Sequence, residues 1–221
     1  MTDTEEKTTF TFDELSERAK DRVRDERRYY HVDDDWWDYL YEDAQRMGAM
    51  MGIEIYDRRF ATYGDRGTDK KSGSAPAISF CGFASQGDGA SFSGTYRYEP
   101  GAVAKITSEC SDPELIRIAT ELTALQVALK LEHGFTISAT IANDRGSYCH
   151  SGYMAVEARL DDDDFDVLSG EDDTLTKLMR DFADWIYKQL EAEHDHLTSD
   201  EHLDERIADE ALLFDEDGDI I

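Results

Sequence analysis

The stretch Ser79–Tyr98, SFCGFASQGDGASFSGTYRY, constrains the fold more than any other part of this chain. Two runs with aromatic residues at alternating positions flank Gln86-Gly87-Asp88-Gly89. Asp-Gly between such runs signals a β-hairpin, because glycine adopts the positive φ that a tight turn needs. Ile78 and Phe80 then face one way, Cys81 and Phe83 the other. After the turn, Phe92, Gly94, Tyr96 and Tyr98 share a face opposite Ser91, Ser93, Thr95 and Arg97.

Helices and further strands surround this hairpin. Asp13 caps a helix from near Glu14 towards Arg28, with Leu15, Ala19 and Val23 on one face. Asp33, Asp34 and Asp35 supply an acidic cap for a helix from Trp36 to about Met51, which carries Trp37, Leu40, Ala44, Met47 and Met51 along one side. Ile53 to Tyr56 reads as a strand. Residues 57–76 are rich in glycine, serine and charge and read as a long flexible insertion, the most basic part of the chain, with Arg58, Arg59, Arg66, Lys70 and Lys71. Ala102 to Cys110 is ambiguous between a short helix and an irregular connection. Ser111-Asp112-Pro113-Glu114 opens a helix with an apolar seam of Leu115, Ile118, Leu122, Leu125 and Leu129. Alternation predicts strands through Phe135–Ile141 and Met154–Leu160, paired as a second hairpin. A long amphipathic helix follows, from about Thr174 to Glu193. A last helix over about 200–213 follows a cap at Thr198-Ser199-Asp200, and the acidic C-terminus reads as frayed. The expected fold is a single α+β domain over 1–221, with an antiparallel sheet of about four or five strands from two hairpins, covered by helices.

Charge narrows the function. Fifty-one Asp and Glu face 23 Lys and Arg, a formal net of −28, where solubility alone needs a magnitude of only about 2–8 in a small domain. Such an excess repels nucleic acid and anionic membranes and attracts basic surfaces. It fits nucleic-acid mimicry, neutralisation of some other basic partner, or a surface adapted to high salt, which the excess of Arg over Lys also suits. The three cysteines, Cys81, Cys110 and Cys149, are widely spaced and odd in number, which argues against a disulfide framework and suits a reducing cytosol. The N-terminus lacks the layout of a signal peptide, so the expected location is cytoplasmic.

Chemistry is sparse. Successive amides in the Ser85, Gln86, Gly87, Asp88, Gly89 turn have the form of an anion cradle, with Ser85, Gln86 and Asp88 placed to orient a ligand. The turn has no P-loop lysine and does not lead into a helix. The acidic runs Asp161–Asp166 and Asp215–Asp219 do not complete a calcium loop, and no metal or cofactor is implied. Cys149-His150 point apart on an extended chain, and His133, His150 and Asp88 are a catalytic set only if the fold brings them together.

The order of these pieces resembles a family of uncharacterised proteins of bacteriophages and related mobile elements, some labelled antitoxin-like. The resemblance rests on FDELSERAKDR, DDWWDYLYEDAQRMGAMMGIEI, FCGFASQGDGASFSGTYRY, ELIRIATELTALQ, DFADWIYKQLEAEHDHLTSDE and a terminal FDEDG. It implies a phage-borne accessory protein that engages host machinery, and this chain departs from it in the 57–76 insertion. The leading expectation is therefore a protein that binds a basic surface of a host factor, with no direct nucleic-acid or membrane binding. Its candidate contacts are Asp33, Asp34 and Asp35, then Asp161, Asp162, Asp163, Asp164 and Asp166, then Glu171, Asp172 and Asp173, and the acidic C-terminal helix. The rival is a small-ligand binder or enzyme that uses the glycine-rich turn.

Overall fold

A computed structural model describes residues 8–30, 32, 35–63, 70–143, 148–161 and 171–221. The fold is α+β, as its residue patterns predict, with six α-helices and eight strands among the described residues. Packing divides the chain into two compact units where the sequence reads as one domain. A central unit is Asp38–Gln189, and a terminal unit joins Met1–Trp37 to Leu190–Ile221.

The central unit holds a four-stranded antiparallel sheet. Its strands are β1 (Ile53–Ile55), β6 (Gly94–Arg97), β7 (Ile137–Asn143) and β8 (Met154–Leu160), in the order β1-β6-β7-β8. Ile53, Ile55, Tyr96, Ile137, Ala139 and Ile141 are buried, while Glu54, Arg97 and Thr140 are exposed. That alternation gives the sheet one apolar face. The pairing of β1 with β6 requires glycine, because a Cβ on Gly94 would lie 2.1 Å from the Glu54 carbonyl oxygen.

Two short ladders accompany this sheet. β2 (Asp57–Tyr63) pairs with β3 (Lys70–Pro76), so the segment that reads as a flexible loop contains a regular hairpin. Its small and charged residues lack the apolar alternation that signals a half-buried strand. β4 (Ile78–Cys81) pairs with β5 (Gly89–Phe92). This is the hairpin of the opening stretch, but its second run divides. After Ser93 the chain leaves β4 and becomes β6, paired with β1 and β7. The four-stranded sheet is therefore not two hairpins side by side; only β7 and β8 follow that plan.

Four helices complete the unit: α2 (Asp38–Met50), α3 (Ala102–Glu109), α4 (Pro113–Glu132) and most of α5 (Glu171–Leu197). The Asp112 carboxylate caps α4 by accepting from the Glu114 and Leu115 amides. Its other oxygen accepts from Trp185 Nε1 at 3.0 Å, which ties the start of α4 to α5. The Gln126 amide is buried on α4. It donates to the Phe135 carbonyl at 3.0 Å and accepts from the Ile137 amide at 3.1 Å, fixing the entry to β7. On α5, Leu175, Leu178, Met179, Phe182 and Ile186 are buried, and Phe182 lies edge-on to Phe92 at 5.6 Å. Arg117 on α4 bonds Glu114, Glu121 and, across to α5, Asp181.

The terminal unit begins at a 3₁₀ turn, Phe12–Glu14, and α1 (Glu17–Arg27), capped by Ser16 rather than Asp13. It ends with α6 (Asp200–Asp209), capped by Ser199, and the closing residues. Phe12, Leu15, Ala19, Val23, Leu203, Ile207 and Phe214 form its core. Phe10 and Phe214 exchange backbone hydrogen bonds of 2.8 and 2.9 Å, and Phe214 is fully buried. The C-terminal segment expected to fray is thus built into the unit. Among the described residues, no helix is long and apolar enough to cross a membrane.

Two measurements probe this architecture. Phe182→Ala is expected to lower the unfolding free energy by about 3–5 kcal/mol, because it opens a cavity between α5 and β5; urea denaturation reads this as a lower midpoint. The second concerns acid. The Arg117 hydrogen bond holds the Glu114 carboxyl below its usual range. Burial raises the Asp181 carboxyl, but hydrogen bonds from Lys177 and Arg117 outweigh it and leave it lowered. The stability they contribute is present above the unfolded carboxylate pKa of about 4 and is lost as pH falls through the lower folded values. Arg117→Leu is expected to move the acid-unfolding midpoint, followed by circular dichroism, to higher pH.

Candidate functional site

The loop between β4 and β5 shows why its residues are of these types. Asp88 turns back on its own loop. Its Oδ2 accepts from the Ala84 amide at 2.9 Å and the Ser85 amide at 2.6 Å, while its own amide donates to the Ser85 carbonyl at 3.1 Å. Gly82, at φ +53, makes room for this arrangement, since a Cβ there would sit 2.5 Å from Asp88 Oδ2. The loop is anchored as well as closed. Tyr187 Oη donates to the Gly82 carbonyl at 3.2 Å, and Phe83 stacks between Phe80 and Tyr187 at 5.7 and 5.5 Å.

Ser85, Gln86, Gly87, Asp88 and Gly89 are consequently together in space, with the first three exposed and Gly89 buried. Two amides suited to an incoming anion already hold the Asp88 carboxylate. A fixed internal anion does there what a bound phosphate does in an open nest. The catalytic set left open in the sequence is also engaged elsewhere. His150 Nδ1 accepts from the Gly152 amide at 2.9 Å, as a cap. His133 closes α4 with its Nε2 3.7 Å from Glu132. Cys149 is buried, and desolvation, with a further contribution from the nearby Cys81 thiol, pushes its thiol up to about 11. Such a thiol keeps its proton near neutral pH and is a poor nucleophile.

Of the basic residues at 57–76, Arg58 comes within 3.5 Å of Ser79 Oγ on β4. A shallow open depression of about 300 Å³ lies over the β1–β6 edge, lined by Gly52, Glu54, Thr95, Arg97, Tyr98 and Glu99 among others. Its charges are of both signs, so it selects for neither anion nor cation.

Six of the candidate acidic contacts, Asp33, Asp34, Asp162, Asp163, Asp164 and Asp166, lie outside the described residues. Glu171 and Asp172 open α5, with side chains that are likewise outside. Asp35 and Asp173 are exposed. Asp161 is exposed but occupied: its Oδ1 accepts from the Thr136 amide at 2.8 Å, and that bond lowers its pKa.

The acidic C-terminal helix expected as a contact lies in the terminal unit, and the division into units shows how far charge is concentrated there. The terminal unit carries 25 Asp and Glu against 8 Lys and Arg, a net of −17 in 69 residues, which leaves −11 for the 152 residues of the central unit. Its basic side chains are largely spent on its own carboxylates. Arg22 pairs with Glu26 and Asp219, Arg24 with Asp21 and Asp204, Arg27 with Glu210, and Arg28 with Asp25 and Asp200. Asp195, Glu201, Glu205, Asp209, Glu216 and Asp217 remain exposed. The signal was available in the sequence, where Leu190–Ile221 holds 13 acidic residues and a single arginine. What the sequence did not show is that the other half of the unit lies at the opposite end of the chain.

Residues 36–200 match the model of a family described as a domain of unknown function (DUF8835), and the chain belongs to that family. No curated protein and no solved structure matches it. The matched range contains the whole central unit, while residues 1–35 and 201–221 of the acidic unit lie outside it.

Asp88→Ala leaves the Ala84 and Ser85 amides to water. The expected cost is about 1 kcal/mol, the net worth of exposed hydrogen bonds. It should appear as a lower urea midpoint at unchanged slope.

Proposed function

We propose that this chain, a member of the DUF8835 family, is an interaction protein of the cytoplasm whose acidic terminal unit binds a basic surface on a partner protein. The observation that carries this reading is the uneven charge: −17 on the terminal unit, where Arg22, Arg24, Arg27 and Arg28 are already paired with carboxylates of the same unit. Carboxylates without local counter-charge attract Lys and Arg and repel phosphate. The exposed carboxylates of α6 and the closing segment, Glu201, Glu205, Asp209, Glu216 and Asp217, are the groups we assign to the contact. Association would be steered by charge and weakened by salt. The partner we have in mind is a basic host factor, the setting implied by the resemblance to mobile-element proteins, with the carboxylates standing where nucleic-acid phosphates otherwise sit. The closed Asp88 loop supports this reading over ligand binding at the glycine-rich turn.

A second reading has its own support. Exposed carboxylates also occur on the central unit, among them Glu42, Glu109, Glu132, Glu157 and Asp184. A surface adapted to high salt carries such a coat throughout, and its folded state is expected to weaken as salt is removed.

Affinity capture at low salt, with elution by raised salt, separates these readings when run beside a chain carrying Glu201→Gln, Glu205→Gln and Asp209→Asn. Interaction through the terminal unit predicts a basic partner that elutes with salt and is lost from the variant. Equal capture by both chains, or no salt-sensitive partner, overturns it. Unfolding of the parent chain on removal of salt supports the second reading.

A further inference from the structure

Cys81 and Cys149 lie 68 positions apart in sequence, and the fold brings them together through β5. Cys81 ends β4 and pairs in register with Gly89. Gly89 in turn lies against the segment that follows β7, since a Cβ on it would be 3.0 Å from His150 Cα. Asn143 holds that segment in place: its Nδ2 donates to Ser91 Oγ at 2.9 Å and to the Tyr148 carbonyl at 3.1 Å. Directly paired residues of antiparallel strands project to the same face, so the Cys81 side chain leaves β4 on the side where Gly89 meets the 149–150 backbone. Both cysteines are reduced; Cys149 is buried and Cys81 is half-exposed. No role described above uses this pair.

We propose that Cys81 and Cys149 are a thiol–disulfide couple, a modification site that reacts with low-molecular-weight disulfides and closes a covalent link between the β4–β5 hairpin and the 148–150 segment. The asymmetry of the pair sets the order of events. Cys81 is the sulfur a reagent can reach. As a thiolate it attacks one sulfur of the small disulfide, forms a mixed disulfide and expels one thiolate. Cys149 then gives up its proton to solvent and attacks Cys81 Sγ, expelling the second thiolate. Two cysteine thiols are oxidised and one small disulfide is reduced to two thiols. Arg58, whose charge opposes the upward shift of the Cys149 thiol, is placed to favour the thiolate in the second step. A disulfide needs Cα atoms within about 4.4–6.8 Å, and the two cysteines are placed as neighbours by one strand pair and one close backbone contact. Cys110, half-buried at the C-cap of α3, serves as the internal control.

The test uses the full chain, incubated with oxidised and reduced glutathione at a series of ratios, quenched with acid and alkylated, then read by intact mass and peptide mapping. The expected product has lost two hydrogens, carries one alkylated cysteine at Cys110, and yields a Cys81–Cys149 linked peptide. Cys110→Ser should give the same link. Cys149→Ser should stop at a glutathione adduct on Cys81, and Cys81→Ser should abolish the link and slow modification of Cys149 at least tenfold. The thermal midpoint of each reduced variant shows whether it is folded, and the mapping of the parent chain decides the matter independently of any variant. Three free cysteines at every ratio, a glutathione adduct on Cys81 that never resolves in the parent chain, or links only between molecules would overturn the proposal.

Discussion

Strand β6 has to be flanked on both sides, by β1 and by β7, and the central unit depends on that placement. The strand is four residues long and arrives directly from a different ladder. It enters the sheet at Gly94, in register with Ile55 on one side and Ile141 on the other. Its neighbour on the β1 side approaches so closely that no side chain fits at the entry point. Once β6 is seated, Tyr96 is buried, β7 has an edge to pair with, and β8 can close the sheet by a hairpin. Gln126 then ties the start of β7 to α4 by donating to the Phe135 carbonyl and accepting from the amide of the buried Ile137.

Charge organises the terminal unit differently. Its core is small, with seven buried apolar side chains. Arg22, Arg24 and Arg27 of α1, with Arg28 at its end, each meet a carboxylate of α6 or the residues after it. Exposed pairs of this kind contribute little one by one. Here they also decide which charges stay outward: the pairs consume the cations and leave a surplus of one sign on a few turns of helix. The same principle operates in miniature at Asp88, where a carboxylate is satisfied by the amides of its own loop. In both places a charged group that looks available in the sequence is taken by a neighbour.

Local patterns were the legible part. The Asp112-Pro113 start of α4, its leucine seam and the buried face of α5 follow from cap chemistry and helical spacing, which act over a few residues. The strands β7 and β8 follow from alternation. What escaped depends on contacts between distant segments or on weak patterns. The β2–β3 hairpin has too few apolar side chains to show a period. The switch of the chain at Ser93 is set by the partners β6 finds, one of them some forty residues earlier and one as far ahead. At the candidate site, the glycine-rich residues were rightly placed in a turn, but their amides looked open because the reach of Asp88 back to Ala84 has no mark in composition. The acidic C-terminal helix was legible from composition, but its union with residues 1–37 in one unit depends on contacts between the two ends of the chain.

That union has a bearing on how the molecule is made. The terminal unit is sewn shut by the pairing of Phe10 with Phe214 and by α1 arginines meeting carboxylates of α6 and beyond. During synthesis α1 emerges early and must wait for some 180 residues before its partners exist, while the central unit already has all of its strands. Domains generally fold as they are completed, from the N-terminal side. The family domain can therefore take shape while α1 is still a solitary, strongly charged helix. The acidic surface assembles only as the final segment is released, so a chain interrupted before α6 would keep its sheet and never acquire that face.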